Sequence, residues 1–335
     1  MPVSKRSLAV LALLTLAVGC WAPVATSPVA AQTFPSKSIR ILVGFPAGGG
    51  VDSVARIVGE QMARSLGQPV VVETKPGVGG TLAATELAKA EPDGHVLMVA
   101  AGGPAITGAI YKSLPFETVD SFSWISGVVT VPFFIAVHAE SEFKTLAALL
   151  ARGKAAPGTL TYGSVGAGST HHLMIEMISL AMGAKFVHVP YRGDAPIVTD
   201  ILGRHIQFGA ATLTSLAGHM TGSTDGGKLR ALAVTTGRRW PRHEQIPTVA
   251  EALGIADFDV GSWFALAGPP RIPKDTVAVL NAEVAKAVAE PGVRAKLESL
   301  GGEVASTTPD ELRGRVAREF AMWTGIMDRI GLAKQ

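Results

Sequence analysis

The sequence predicts an α/β protein of two lobes, each a central, mostly parallel sheet flanked by helices. Three observations predict it. From Ser38 onward, short apolar runs of β-type residues alternate with longer segments of helical period. The runs are almost continuously apolar, as strands covered on both faces are. The alternation also passes through two cycles of the same kind, which suggests two lobes.

The first cycle opens with a strand at Ile39–Val43, followed by a helix on which Val51, Val54, Ala55, Val58 and Met62 recur at helical spacing. A strand at 69–73, a helix over 80–89 and a strand at 95–100 complete it. The second cycle begins after a strand at 133–137. It runs through a helix near 146–152, a strand at 160–162, a helix over 170–182, a strand at 186–189, a helix near 195–202 and a strand at 206–210. Further strands are expected at 229–234 and 263–267. Pro273 opens a helix, where proline fits the first helical position. The last helix starts at the capping box Thr308-Pro309-Asp310-Glu311, and its apolar stripe is Leu312, Val316, Phe320, Trp323, Met327 and Ile330. The strand at 229–234 is expected to return the chain to the first lobe. Residues 32–130 and 230–335 would then form lobe 1 and residues 131–229 lobe 2, with a ligand cleft between them.

The first 31 residues have a separate logic. Lys5 and Arg6 precede an apolar run from Leu8 to Val18, and a small-residue stretch ends in Val29-Ala30-Ala31. These are the three parts of a secretory signal, and the run is shorter than the roughly 20 residues that span a bilayer. Cleavage after Ala31 and a periplasmic destination are expected. Lipid anchoring at Cys20, in Ala17-Val18-Gly19-Cys20, is the alternative. Cys20 is the only cysteine, so a chain cut after Ala31 has no disulfide and no thiol chemistry. Without Lys5 and Arg6, 28 basic residues face 27 acidic ones, a net charge of +1 with no basic cluster. That argues against a nucleic-acid partner.

Two glycine-rich turns carry the ligand-binding expectation. Phe45-Pro46-Ala47-Gly48-Gly49-Gly50-Val51-Asp52 leaves a buried strand and opens a helix, whose first N–H groups have no intrahelical acceptor and attract anions. Asp52, facing the pocket, would accept from an amine, a hydroxyl or water. Tyr162-Gly163-Ser164-Val165-Gly166-Ala167-Gly168-Ser169-Thr170 is a second turn of the same kind, with the hydroxyls of Ser164, Ser169 and Thr170 added. Ligands of open α/β sheets sit at the carboxyl ends of strands, where both turns lie. Pro190-Tyr191-Arg192-Gly193 ends a further strand; Arg192 would pair with a distal acid group and Tyr191 would stack. Gly102, in another strand-end loop, completes the set.

Enzyme and cofactor patterns are missed. Gly77-Val78-Gly79-Gly80-Thr81-Leu82 and Gly166-Ala167-Gly168-Ser169-Thr170-His171 both lack the last glycine of a dinucleotide fingerprint. Gly222 to Lys228 spells part of a phosphate loop, but Leu229 stands where Ser or Thr is required. Tyr162 breaks the nucleophile-elbow pattern at Ser164. His172 and Glu176 offer two metal ligands four apart with no third. No cofactor, metal or catalytic residue is therefore expected; folding could still assemble a Ser/His/Asp enzyme from Ser164, His188 and Asp194, but nothing in their spacing supports it over chance.

In order along the chain, Phe34-Pro35-Ser36-Lys37, Gly44 to Asp52, Leu66-Gly67-Gln68-Pro69-Val70-Val71-Val72-Glu73 and Lys75-Pro76-Gly77-Val78-Gly79-Gly80 resemble the receptors of tripartite tricarboxylate transporters, the Bug family. Leu160 to Ser164, Val189 to Gly193, Gly227 to Val234 and Ile246-Pro247-Thr248 continue the resemblance. It implies a two-lobed periplasmic-binding-protein (Venus-flytrap) fold, type II-like. It also implies that the turns Phe45–Asp52 and Ser164–Thr170 hold a ligand carboxylate, partly through water. Asp52 matches the family's acidic position and Ser169 its second-turn serine. Arg192 stands where lysine is commoner, and residues 221–226 look like extra loop. Thr212, Thr214 and Ser262-Trp263, in the distal pocket, are not constant in the family. The implied partners are a small carboxylate (a di- or tricarboxylate, an amino acid or an aromatic acid) and membrane transporter subunits, with the receptor a monomer. A periplasmic hydrolase of a small acid and a ligand sensor feeding a signalling protein are the alternative readings.

Overall fold

A computed structural model describes residues 34–330 apart from 78–79, 222–225, 242 and 257. The expected signal peptide with Cys20, part of the 77–80 glycine run and most of the 221–226 loop lie outside the described residues. One long strand organises the rest. β4 (Ser123–His138) is hydrogen-bonded on two different sets of neighbours along its length.

Its first half belongs to a sheet with β1 (Ile39–Val43), β2 (Val70–Thr74), β3 (Val96–Ala101), β9 (Gly261–Gly268) and β10 (Glu303–Val304), in the order β2-β1-β3-β9-β4-β10. Its second half, Phe133 to His138, joins β5 (Thr161–Ser164), β6 (Val187–Pro190), β7 (Phe208–Thr212) and β8 (Leu229–Val234), in the order β8-β4-β7-β5-β6. The outer pairs β1–β2, β1–β3, β5–β6 and β5–β7 are parallel, whereas every pair that involves β4 or β9 is antiparallel. The sheet is thus mixed. The carboxyl ends of β1 and β3 point towards the second half, and those of β5, β6 and β7 towards the first.

Helices cover both faces: α1 (Gly50–Leu66), α2 (Thr81–Ala88), α3 (Gly103–Ile110), α4 (Leu146–Ala155), α5 (Thr170–Met182), α6 (Asp194–Leu202), α7 (Leu213–Leu216), α8 (Val249–Leu253), α9 (Lys274–Ala289), α10 (Pro291–Glu298) and α11 (Pro309–Ile330). α11 begins at the expected capping box, with Thr308 N–H donating to Glu311 Oε2 at 2.8 Å and Glu311 N–H to Thr308 Oγ1 at 3.2 Å. Its Leu312, Val316, Trp323 and Met327 are buried in one core that runs from Leu42 and Ala100 of the first sheet to Tyr162 and Phe208 of the second. A second core, with Ile41, Val58 and Leu280, lies on the other face of the first sheet; a third, with Phe134, Ile197 and Leu216, lies on that of the second.

Two sequence expectations change. The strand expected at 133–137 is the second half of β4, because Ser126, Gly127 and Pro132 interrupt the apolar run that would have announced its first half. The return to the first half, expected at residue 230, is made by β9 instead. β8 pairs antiparallel with β4 through Leu229↔His138 and Val234↔Phe134, so it stays in the second sheet.

Candidate functional site

The first turn is almost bare backbone. Pro46 to Gly50 are exposed, and Gly49, the residue before α1, offers no side-chain cap. The first intrahelical bond runs from Ser53 N–H to Gly49 O at 2.9 Å, which leaves the N–H groups of Gly50, Val51 and Asp52 without an acceptor among the described residues. Asp52 is 3% exposed. Its Oδ2 accepts from Gly48 N–H at 2.9 Å and from Arg56 Nε at 3.0 Å, while Oδ1 is buried without a partner among the described residues. The Arg56 guanidinium, against the opposing effect of burial, holds this carboxyl below the usual range, with help from Gly48 N–H. Asp52 is therefore an anion that shapes the turn around its own carboxylate. Gly102 N–H, at the third strand-end loop, donates to Trp263 O at 3.1 Å.

The second turn is furnished with side chains. Ser169 caps α5: its Oγ accepts from His172 N–H at 3.3 Å and donates to Gly166 O at 2.7 Å. Gly168 N–H donates to His172 Nδ1 at 3.0 Å, which puts the ring proton of neutral His172 on Nε2. The His172 and His188 rings stack at 4.2 Å, with Tyr162 stacked on both. Tyr162 in turn donates to Glu176 Oε1 at 2.6 Å. Burial, then the neighbouring His172, lowers His188 to about 4; burial lowers His172 as well. Thr170 is half-buried.

Ser164 Oγ lies 2.6 Å from His188 Nε2, within reach of a general base. Yet Ser164 is 0% exposed and its hydroxyl is also bonded to the backbone of Gly166. Asp194 pairs with His171 and not with His188, so the three residues form no relay. Among the described residues, no group of three or more His, Cys, Asp or Glu is placed to hold a metal.

The remaining expected residues divide. Pro190 pairs with Ser164 across β5 and β6, and Tyr191 N–H donates to Ser164 O at 2.8 Å, so this turn is tied to the second one. The Tyr191 ring, expected to stack on a ligand, instead packs against Gly163 and the third core, with its hydroxyl on Asp200 Oδ2 at 2.6 Å. Arg192 is exposed. The pattern reading missed a cluster beside the second turn. Asp194, the first residue of α6, accepts on Oδ2 from Thr212 N–H at 2.9 Å and Thr212 Oγ1 at 2.7 Å, and its Oδ1 lies 3.1 Å from His171 Nε2. An acid directly after a strand-end glycine was the available signal. A groove of ≈ 770 Å³ lies elsewhere, over the middle of β4, lined by Thr130, Trp240, Arg315 and Glu319 among others, and none of the expected site residues lines it.

Residues 54–332 match the model of the tripartite tricarboxylate transporter family receptor. Protein BugT of Bordetella pertussis is 31% identical over 307 residues, 91% of this chain and 93% of that one. The solved structure of the periplasmic binding protein BugD is 30% identical with a TM-score of 0.74, covering 90% of this chain and all of that one. MatC from Rhodopseudomonas palustris, solved with bound malate, is 28% identical with a TM-score of 0.71 over 88% of this chain and 99% of that one.

Proposed function

The chain belongs to the tripartite tricarboxylate transporter receptor family, a family of solute-binding receptors and not of enzymes, and from that premise we propose that it captures a small carboxylate in the periplasm and delivers it to membrane transporter subunits. The observation that carries the reading is the pair of strand-end turns, one in each half of the mixed sheet. Both open a helix at the carboxyl end of a parallel strand, Phe45–Asp52 after β1 and Ser164–Thr170 after β5. The free N–H groups of Gly50, Val51 and Asp52, with the dipole of α1, form a donor set for one carboxylate. The hydroxyls of Ser169 and Thr170 supply the opposing side. MatC, a relative of the same fold, carries malate, which supports a carboxylate ligand here.

The two lobes of this reading follow the two sheets, with crossings at β4 and at residues 235–260. Closure of one lobe on the other would bury the ligand, and the membrane partner would recognise the closed form. Residues 1–31 act as the export signal, and the exported chain works as a monomer.

A thermal-shift screen of the chain from residue 32 onward, against dicarboxylates, amino acids and aromatic acids, tests the proposal. A ligand at 100 times its Kd stabilises the fold by about 2.7 kcal/mol. A shift with at least one carboxylate, absent with the corresponding amide, is the expected result. No shift with any carboxylate sinks the reading.

A further inference from the structure

Asp194 is a charge that the fold keeps without a Lys or Arg partner among the described residues. Its side chain is 14% exposed, and among the described residues His171 is the only ion-pairing side chain beside it. Neutral donors do the rest: Thr212 N–H and Oγ1, and Ser215 Oγ at 3.4 Å, all on Oδ2. A buried carboxylate normally pairs with Lys or Arg, because neutral hydrogen bonds leave its net charge in place. The carboxyl is nonetheless ionised: burial alone would raise it, but His171 and the Thr212 bonds hold it at about 2. A carboxylate has about four acceptor positions, and Oδ1 has only His171 Nε2 near it. Acceptor capacity therefore remains on the side chain.

Its placement is the second observation. Asp194 starts α6 at the carboxyl end of β6, Thr212 ends β7, and His171 lies in the first turn of α5, directly after Ser169 and Thr170. One carboxylate thus sits where three parallel strands of the second sheet end, on the side that bears the second turn. A plain dicarboxylate docked on that turn would bring its far anion towards a fixed negative charge. An ammonium group would meet an acceptor.

We propose that Asp194 is a specificity determinant of this receptor, selecting carboxylates that also carry an ammonium group, so that the ligand is an amino acid. This rests on the reading of the two turns as the carboxylate site. Isothermal titration of matched pairs tests it: aspartate against succinate, glutamate against glutarate, phenylalanine against 3-phenylpropionate. In at least one pair the amino acid should bind tenfold or more tighter than its partner. Asp194→Asn, which keeps the shape and the acceptor for Thr212, should cut that preference at least fivefold. Thr212→Val, which leaves the charge in place, should weaken both members of a pair alike.

The wild-type comparison stands even where a variant does not fold. Equal or tighter binding of the plain acids overturns the proposal and points to the exposed Arg192 as the group that meets the far end. No binding by any member of any pair overturns the carboxylate reading beneath it. An unchanged preference in Asp194→Asn assigns the selection to another residue and also overturns the proposal.

Discussion

The two strand-end turns share one topology and differ in nearly everything else. The first, after β1, presents exposed glycines and backbone N–H groups, and its only charged side chain, Asp52, turns inward to hold the turn in shape. The second, after β5, is lined with side chains: a capping serine, a buried serine, and two histidines stacked on a tyrosine. A bare backbone site recognises a carboxylate and little more, since N–H donors at a helix start do not read what lies beyond the anion. A site with side chains carries selectivity and a response to pH. Under the proposed function, the difference would let one half supply the common grip and the other half the choice of ligand.

Breaking the first turn should have the largest effect. Asp52→Ala removes a charge-assisted bond from Gly48 N–H, of a kind worth roughly 1.5–3 kcal/mol, and with it the pairing with the exposed Arg56. We expect a stability loss of about 2 kcal/mol, together with at least tenfold weaker binding of every carboxylate that binds the wild type. Thermal unfolding and calorimetric titration of the same preparations measure the two quantities. Unchanged affinity would mean that the turn does not need Asp52 to present its donors.

A smaller effect separates the turns by pH. His188 titrates at about 4 in the fold against about 6.5 when unfolded. The unfolded chain therefore binds the extra proton between those values, and stability falls as pH drops from 6.5 towards 4. Asp52, lowered from its ordinary value, contributes stability above that value and loses it only at still lower pH. Between pH 6.5 and 5 the second turn should soften while the first is unaffected. The cost is on the order of 1 kcal/mol once partial exposure of the ring is discounted. Unfolding midpoints measured at half-unit steps should slope downward, and His188→Gln should flatten the slope. A slope unchanged in His188→Gln would place the titration elsewhere.

Much of the fold and most of the first turn were legible in the sequence, for a physical reason. The Phe45–Asp52 turn, the capping box at Thr308 and the apolar stripe of α11 are set by neighbours along the chain. The first half of β4 was not legible, because its strand character comes from pairing with Gly261–Gly268, more than a hundred residues away, and Gly127 and Pro132 weaken the local signal. Tyr191 could not be read as a packing residue before Asp200 was known to take its hydroxyl. The Asp194 cluster likewise draws on three separate helix starts, and no local spacing brings His171, Asp194 and Thr212 together.

The finest test of the difference uses two glycines with nearly the same φ. Gly48 has φ +81° and Gly168 φ +75°, so alanine at either position incurs a left-handed penalty of roughly 1–2 kcal/mol. They differ in what a side chain would meet. At Gly48 nothing lies within 4 Å of an added Cβ, whereas at Gly168 the Cβ would stand 2.8 Å from Ile110 Cδ1, on α3 of the other half. The terminal methyl of an isoleucine can move, so the added cost at Gly168 is smaller than the strain itself, on the order of 0.5 kcal/mol. Gly168→Ala should therefore be the more destabilising by about that amount. Ile110→Val, which deletes the methyl in question, should remove the excess in a double-mutant cycle while leaving Gly48→Ala additive. Equal costs at the two sites, or additivity in both cycles, would show that the second turn does not press on α3 in solution.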